Sequence, residues 1–99
     1  MTGSRERILE TLAAHRVELR RRGVRRLGLF GSAARDEDSA ESDVDLVVEL
    51  ERKSFDGYMQ LKDFLETLLG RRVDLVLAEA VKPRLRGPIL EEALHAPGL

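Results

Sequence analysis

An apolar run, residues 27–30, ends on Gly31-Ser32, and about ten residues later a second apolar run opens with two alternating aspartates, Asp43 and Asp45. This pattern restricts the fold more than any other in the chain. A strand rises about 3.3 Å per residue and sends alternate side chains to one face. Asp43 and Asp45 therefore point the same way, with Cα atoms roughly 6.6 Å apart. Leu46, Val47 and Val48 follow them without alternation, which predicts a strand buried on both faces. Two carboxylates so placed can converge on one hard cation. The Gly31-Ser32 turn offers backbone N–H groups and a hydroxyl, which suit an anionic phosphate. A phosphate grip beside metal-binding carboxylates is the equipment of phosphoryl or nucleotidyl transfer.

The size of the chain, 99 residues, predicts one domain spanning residues 1–99. Its apolar and charged fractions, 42% and 35%, are those of a globular chain. No apolar run approaches the length of a membrane span, and the charged start MTGSRERILE is not a signal peptide. The absence of cysteine excludes disulfides, thiolate zinc sites and a cysteine nucleophile. The expected location is cytoplasmic. A formal net charge of −1 argues against a globally basic nucleic-acid binder, so direct nucleic-acid binding is not expected. Arginines at 16, 20, 21, 22, 25 and 26 form a basic segment, read as a solvated helix end with an RNA- or acid-binding surface as second reading.

Helical spacing of Ile8, Leu9, Leu12, Ala13, Val17 and Leu19 predicts one first helix, capped by Thr2 or Ser4 and closed near Gly23. Residues 24–30 read as the first strand, with Leu27 and Leu29 on one face, and residues 32–35 as a short helix. Residues 37–42 read as a polar loop and residues 43–50 as the second strand. Ser54 caps a second long helix carrying Tyr58, Leu61, Phe64, Leu65, Leu68 and Leu69, and Gly70 ends it. Residues 72–77 form a third strand, with Val73, Leu75 and Leu77 opposite Asp74 and Val76. Residues 78–88 read as irregular and residues 89–95 as a final short helix. The order α-β-α-β-α-β-α predicts an α/β (α+β) fold, a small mixed β-sheet flanked by helices.

A third carboxylate, Asp74, sits inside the apolar run RRVDLVL. Burying it is costly unless it is paired or bound to a metal. It reads as a metal ligand, with an ion pair to Arg71 or Arg72, or an exposed strand face, as the alternatives. His15 and His95 lack the spacing of a zinc site.

Gly-Ser, about ten residues, Asp-x-Asp and a distal strand Asp together resemble the nucleotidyltransferase superfamily related to DNA polymerase β. The signature positions are Gly31, Ser32, Asp43, Asp45 and Asp74. GSAARDEDSAESDVDLVVE, its spacing to RRVDLVL, and VKPRLRGPILEEALHA resemble the minimal nucleotidyltransferases, the MNT proteins of HEPN/MNT toxin–antitoxin systems. The resemblance implies a polymerase β-like core and an Mg²⁺-dependent enzyme that moves AMP from ATP to a hydroxyl. The acceptor it implies is a tyrosine of a cognate helical HEPN ribonuclease toxin, which makes the chain an antitoxin. It further implies that Asp43 and Asp45 bridge two Mg²⁺ ions, that Asp74 ligates the second and helps deprotonate the acceptor, and that Gly31 and Ser32 hold the triphosphate. Arg35 either neutralises triphosphate charge or pairs with Asp36 or Asp38. A domain this small leaves little surface to recognise an acceptor, so a docking protein is the expected acceptor. The alternatives are a small-molecule nucleotidyltransferase subunit of the aminoglycoside type and an antitoxin that works by binding alone.

Overall fold

The computed structural model describes residues 4–37, 39, 42–52, 54–81, 84 and 93–95. Its elements in chain order are α1 (Ser4–Ala14), α2 (Arg16–Arg21), β1 (Val24–Phe30), α3 (Gly31–Ala34), β2 (Val44–Leu50), α4 (Phe55–Leu69), β3 (Val73–Leu77), a 3₁₀ turn (Ala78–Ala80) and β4 (Leu94–His95). The strands form one mixed sheet in the order β3-β2-β1-β4. β1 runs antiparallel to β2 and to β4, and β2 runs parallel to β3. A parallel pair needs a crossover, and α4 provides it. The expected fold class is the one observed.

β2 is the middle of the structure. Val44, Leu46 and Val48 face the main core with Leu27 and Leu29 of β1 and Val73 and Leu75 of β3. Ile8, Leu12, Leu19, Leu61 and Leu65, from α1, α2 and α4, cover that face. Val47 turns the other way, into a smaller cluster with Ala78, Ala93 and Phe30, so the valines of β2 are buried on both faces as expected. α4 is held at both ends. Ser54 Oγ accepts from Gly57 N at 3.0 Å, and Gly70 closes the helix in the left-handed region at φ 66°. Tyr58 donates its hydroxyl to the Leu75 carbonyl at 2.5 Å, tying the helix to β3.

Two local expectations are corrected. The first helix is broken at His15, whose backbone (φ −109°, ψ 19°) leaves the helix between α1 and α2. His15 Nδ1 donates to the Thr11 carbonyl at 2.9 Å and Arg16 Nη1 to the Ala13 carbonyl at 3.0 Å, satisfying acceptors that the break leaves open. The His15 ring meets Phe64 edge-on, and the Arg22 guanidinium lies 4.3 Å from the same ring's centroid. The break also turns Val17 outward, 60% exposed. Ser4 lies inside α1 rather than capping it, and Thr2 falls outside the described residues.

The first strand stands as expected, and a bulge in β1 adds to it. Val24 pairs with Leu50 and Arg26 with Glu49, so Arg25 is an extra residue. The shift of phase lets Val24 and Leu27, an odd number of residues apart, both point into the core. The second correction concerns the C-terminal end. Leu94–His95 form a strand on β1, with Gly28 opposite His95, rather than the end of a helix. The free edge of β1 supplies main-chain partners. Gly28 lets the segment approach, since a Cβ there would lie 3.0 Å from Ala93 Cβ and 3.3 Å from Val47 Cγ1. Residues 89–92 of the expected final helix lie outside the described residues, Ala93 is not helical, and part of the expected irregular stretch forms the Ala78–Ala80 turn.

Leu46 is fully buried in the central strand, so Leu46→Ala should cost about 2–5 kcal/mol in equilibrium urea unfolding. Ser54→Ala, which removes only the α4 cap, should cost about 1 kcal/mol.

Candidate active site

The face of the sheet turned away from the main core carries the polar chemistry. Because side chains alternate, Asp45 shares that face with Val47 on β2, and Asp74 with Val76 on β3. The register sets Phe30, Asp45 and Asp74 in one row across β1, β2 and β3. Neighbouring strands lie about 4.8 Å apart, so Asp45 and Asp74 are direct neighbours across the parallel pair. Asp43 immediately precedes β2, and its charge acts on Asp45. Asp45 and Asp74 thus come from two strands onto one face, with Asp43 just before the first of them.

Asp45 registers this crowding. Burial raises its pKa above the usual carboxylate value, the charges of Asp74 and Asp43 raise it further, and the Arg35 charge lowers it. Asp74 is exposed and forms no ion pair with Arg71 or Arg72 among the described residues. Among the described residues no three acidic or histidine side chains are drawn closely enough together to hold a metal ion as they stand. The donor set fits a hard divalent cation: every candidate ligand is a carboxylate oxygen, and a cation would offset the charge that burial and two neighbours penalise at Asp45.

The Gly31-Ser32 turn closes one side. Gly31 begins α3 at φ +72°, a conformation that side chains disfavour. A Cβ built there would run into the Asp45 carboxylate, with Asp45 Cγ at 3.0 Å. Only glycine lets the chain turn this close to Asp45. The first N–H groups of a helix lack intrahelical acceptors, and Phe30, at the N-cap of α3, makes no side-chain cap hydrogen bond. Those groups, with the Ser32 hydroxyl, are the anion-binding potential of the site. Arg35 follows α3, and its Nε lies 3.2 Å from Glu37 Oε2, so its partner is Glu37 rather than Asp36. Asp38 lies outside the described residues. That pair is exposed on both sides, 54% and 65%, and surface pairs of this kind are worth about 0–1 kcal/mol. Arg35 can exchange it for a triphosphate at little cost.

From the sequence, Arg71 is a possible partner for Asp74. Its guanidinium instead binds the segment before Asp43, donating from Nη2 to the carbonyls of Ser39 and Ser42, both at 2.8 Å. Glu66 Oε2 accepts the Val73 N–H at 2.9 Å and secures the start of β3 one residue from Asp74. Neither contact has a local sequence signal, because each joins segments distant in the chain or depends on how a helix meets a strand.

A family model described as the nucleotidyltransferase domain matches residues 12–95. The chain is 42% identical over 92 residues to the protein adenylyltransferase MntA of Thermococcus cleftensis, spanning 91% of this chain and 93% of that protein. It is similar to a solved structure described as a minimal nucleotidyltransferase, with a TM-score of 0.75 and 43% identity over 87% of this chain and 93% of that one. A chain from the complex of tri-AMPylated Shewanella oneidensis HEPN toxin with MNT antitoxin shares the fold, with a TM-score of 0.64 at 19% identity over 92% and 73% of the two chains.

Two outcomes follow from the geometry. A carboxylate with a raised folded-state pKa contributes stability that is full below its unfolded value and is lost as pH rises through its folded value. In chelator at neutral pH, Asp45→Asn should therefore melt above the parent protein, and the gap should close as pH falls through the carboxylate range. Gly31→Ala must adopt φ +72° beside Asp45, and should cost about 1–3 kcal/mol or more in urea unfolding.

Proposed function

This chain belongs to the nucleotidyltransferase domain family, as the Gly-Ser and Asp-x-Asp resemblance implied. It is a nucleotidyltransferase of the minimal, MNT kind, and on that premise we propose that it is an Mg²⁺-dependent protein adenylyltransferase. In this reading it transfers AMP from ATP to a tyrosine hydroxyl of a cognate helical HEPN toxin and so acts as its antitoxin. The observation that carries the reading is the pair of carboxylates Asp45 and Asp74, with Asp43 near enough for its charge to act on Asp45, next to the Gly31-Ser32 turn. The similarity to MntA of T. cleftensis supports a protein as acceptor. The likeness in fold to the MNT chain found with a tri-AMPylated HEPN toxin supports a toxin of that class.

Each residue has a task in the transfer. Gly31 and Ser32 hold the β- and γ-phosphates through main-chain N–H groups and the hydroxyl. Arg35, released from Glu37, faces the same phosphates. Asp43, Asp45 and Asp74 are the ligands for Mg²⁺. When bound, Mg²⁺ neutralises triphosphate charge and lowers the pKa of a coordinated hydroxyl. Asp74, at the exposed end of the row, orients the acceptor hydroxyl and favours its deprotonation. The acceptor oxygen bonds to the α-phosphorus, the bond to the α,β-bridging oxygen breaks, and pyrophosphate leaves with that electron pair. Positioning and charge supply the rate, as in phosphoryl transfer generally.

Incubated with its toxin partner, ATP and Mg²⁺, the protein should raise the toxin's intact mass by one or more AMP units on a tyrosine, and the toxin should remain inactive after separation. Asp43→Asn with Asp45→Asn should abolish the mass shift and metal-dependent ATP binding by calorimetry. Asp74→Asn should remove transfer and leave the fold intact in thermal melts. A toxin of unchanged mass that regains ribonuclease activity on separation would replace this reading with inhibition by contact alone.

A further inference from the structure

Asp43 lies outside β2, at the end of a polar loop, so something other than the sheet ladder must hold it in place. Before it, Ser39 and Ser42 are tied together: Ser42 N donates to the Ser39 carbonyl at 3.1 Å, and Ser39 N donates to Ser42 Oγ at 3.1 Å. The Arg71 guanidinium closes on this pair from the head of β3. One nitrogen, Nη2, donates to the carbonyls of Ser39 and Ser42 at 2.8 Å each, while Nη1 donates to Ser4 Oγ in α1 at 3.1 Å. Immediately after Asp43, Val44 N donates to the Arg72 carbonyl at 2.9 Å. Asp43 is therefore held on both sides by one dipeptide, by the Arg71 side chain on the residue before it and by the Arg72 main chain on the residue after it.

We infer that Arg71 is a positioning residue for the metal site: it aims Asp43 at the row formed by Asp45 and Asp74. The inference rests on the reading of these three aspartates as metal ligands. A planar guanidinium can reach two carbonyls and a hydroxyl from fixed directions, whereas an ammonium presents one point of charge and cannot span all three. Arg71 is also three residues before Asp74 on the same short segment. The stretch that supplies one ligand thus sets the position of another, and a shift at the head of β3 moves both. Partners that orient metal ligands typically contribute about 10–100-fold in metal affinity.

The test is an Mn²⁺ titration of the full chain by electron paramagnetic resonance, with thermal melts and the Mg²⁺ dependence of AMP transfer. Arg71→Lys retains the charge and loses the fork. It should weaken Mn²⁺ binding about tenfold and raise the Mg²⁺ concentration needed for half-maximal transfer, while the rate at saturating Mg²⁺ recovers. Ser54→Ala is the control for lost stability, because its cap lies beyond the opposite end of β2 from Asp45; it should lower the melting temperature and leave the Mn²⁺ isotherm unchanged. Arg71→Gln serves as a second variant if Arg71→Lys fails to fold. An Arg71→Lys isotherm equal to the parent's, or loss of the fold in both variants, would overturn the assignment. Failure of the parent itself to bind Mn²⁺ would instead overturn the metal-site reading on which it rests.

Discussion

A slip of β2 by one residue against its neighbours would carry Asp45 into the apolar layer and turn Leu46 out to solvent, because side chains alternate with a period of two. The present register, Phe30 to Asp45 to Asp74, therefore sets the core and the polar row together. Val44, Leu46 and Val48 oppose the slip by filling the space beneath α1, α2 and α4, and the carboxylates oppose it from the other face because burying them is costly. One strand specifies both layers, and the layers reinforce each other. That is why a chain of 99 residues can keep a charged site directly above its core.

The site is built at some expense to the fold. Burial and two like charges raise the pKa of Asp45 and so disfavour its ionised form, and Gly31 turns through a left-handed conformation to bring the chain end of β1 beside it. Crowding of like charges of this kind collects at functional sites and persists only where the surroundings hold the geometry. Here the surroundings are the ladders of β2 on both sides and the hydrogen bond from Val73 N to Glu66. A cation and a triphosphate would each offset part of that cost, so binding energy and fold stability are linked through the same carboxylates.

Contacts between distant segments finish what the strands begin. Arg71 joins α1, the Ser39 and Ser42 pair, and the head of β3, and so couples the placement of Asp43 to that of Asp74. Arg22 and His15 pack on Phe64 and set how the broken first helix lies on α4. The first group acts on the polar face and the second on the core, and both depend on the long, branched reach of arginine.

The sequence by itself determined the first three strands, the α4 helix with both caps, the two-sided burial of the β2 valines, and the Gly-Ser and Asp-x-Asp pattern that carries the family. These are local: period, cap chemistry and turn residues are written within a few positions of one another. The tertiary structure alone decided the break at His15, the bulge at Arg25, the β4 strand at Leu94–His95, the Arg35–Glu37 pair and the grip of Arg71 on Ser39 and Ser42 before Asp43. Helical spacing continues past His15 without interruption, and only the packing of Phe64 gives the break a use. The bulge is needed because Val24 and Leu27 must share one face, a requirement set by the helices above the sheet. The adjacency of Asp45 and Asp74 belongs to both levels: the alternation of each strand offers the face, and the parallel pairing through α4 brings the two faces into one row.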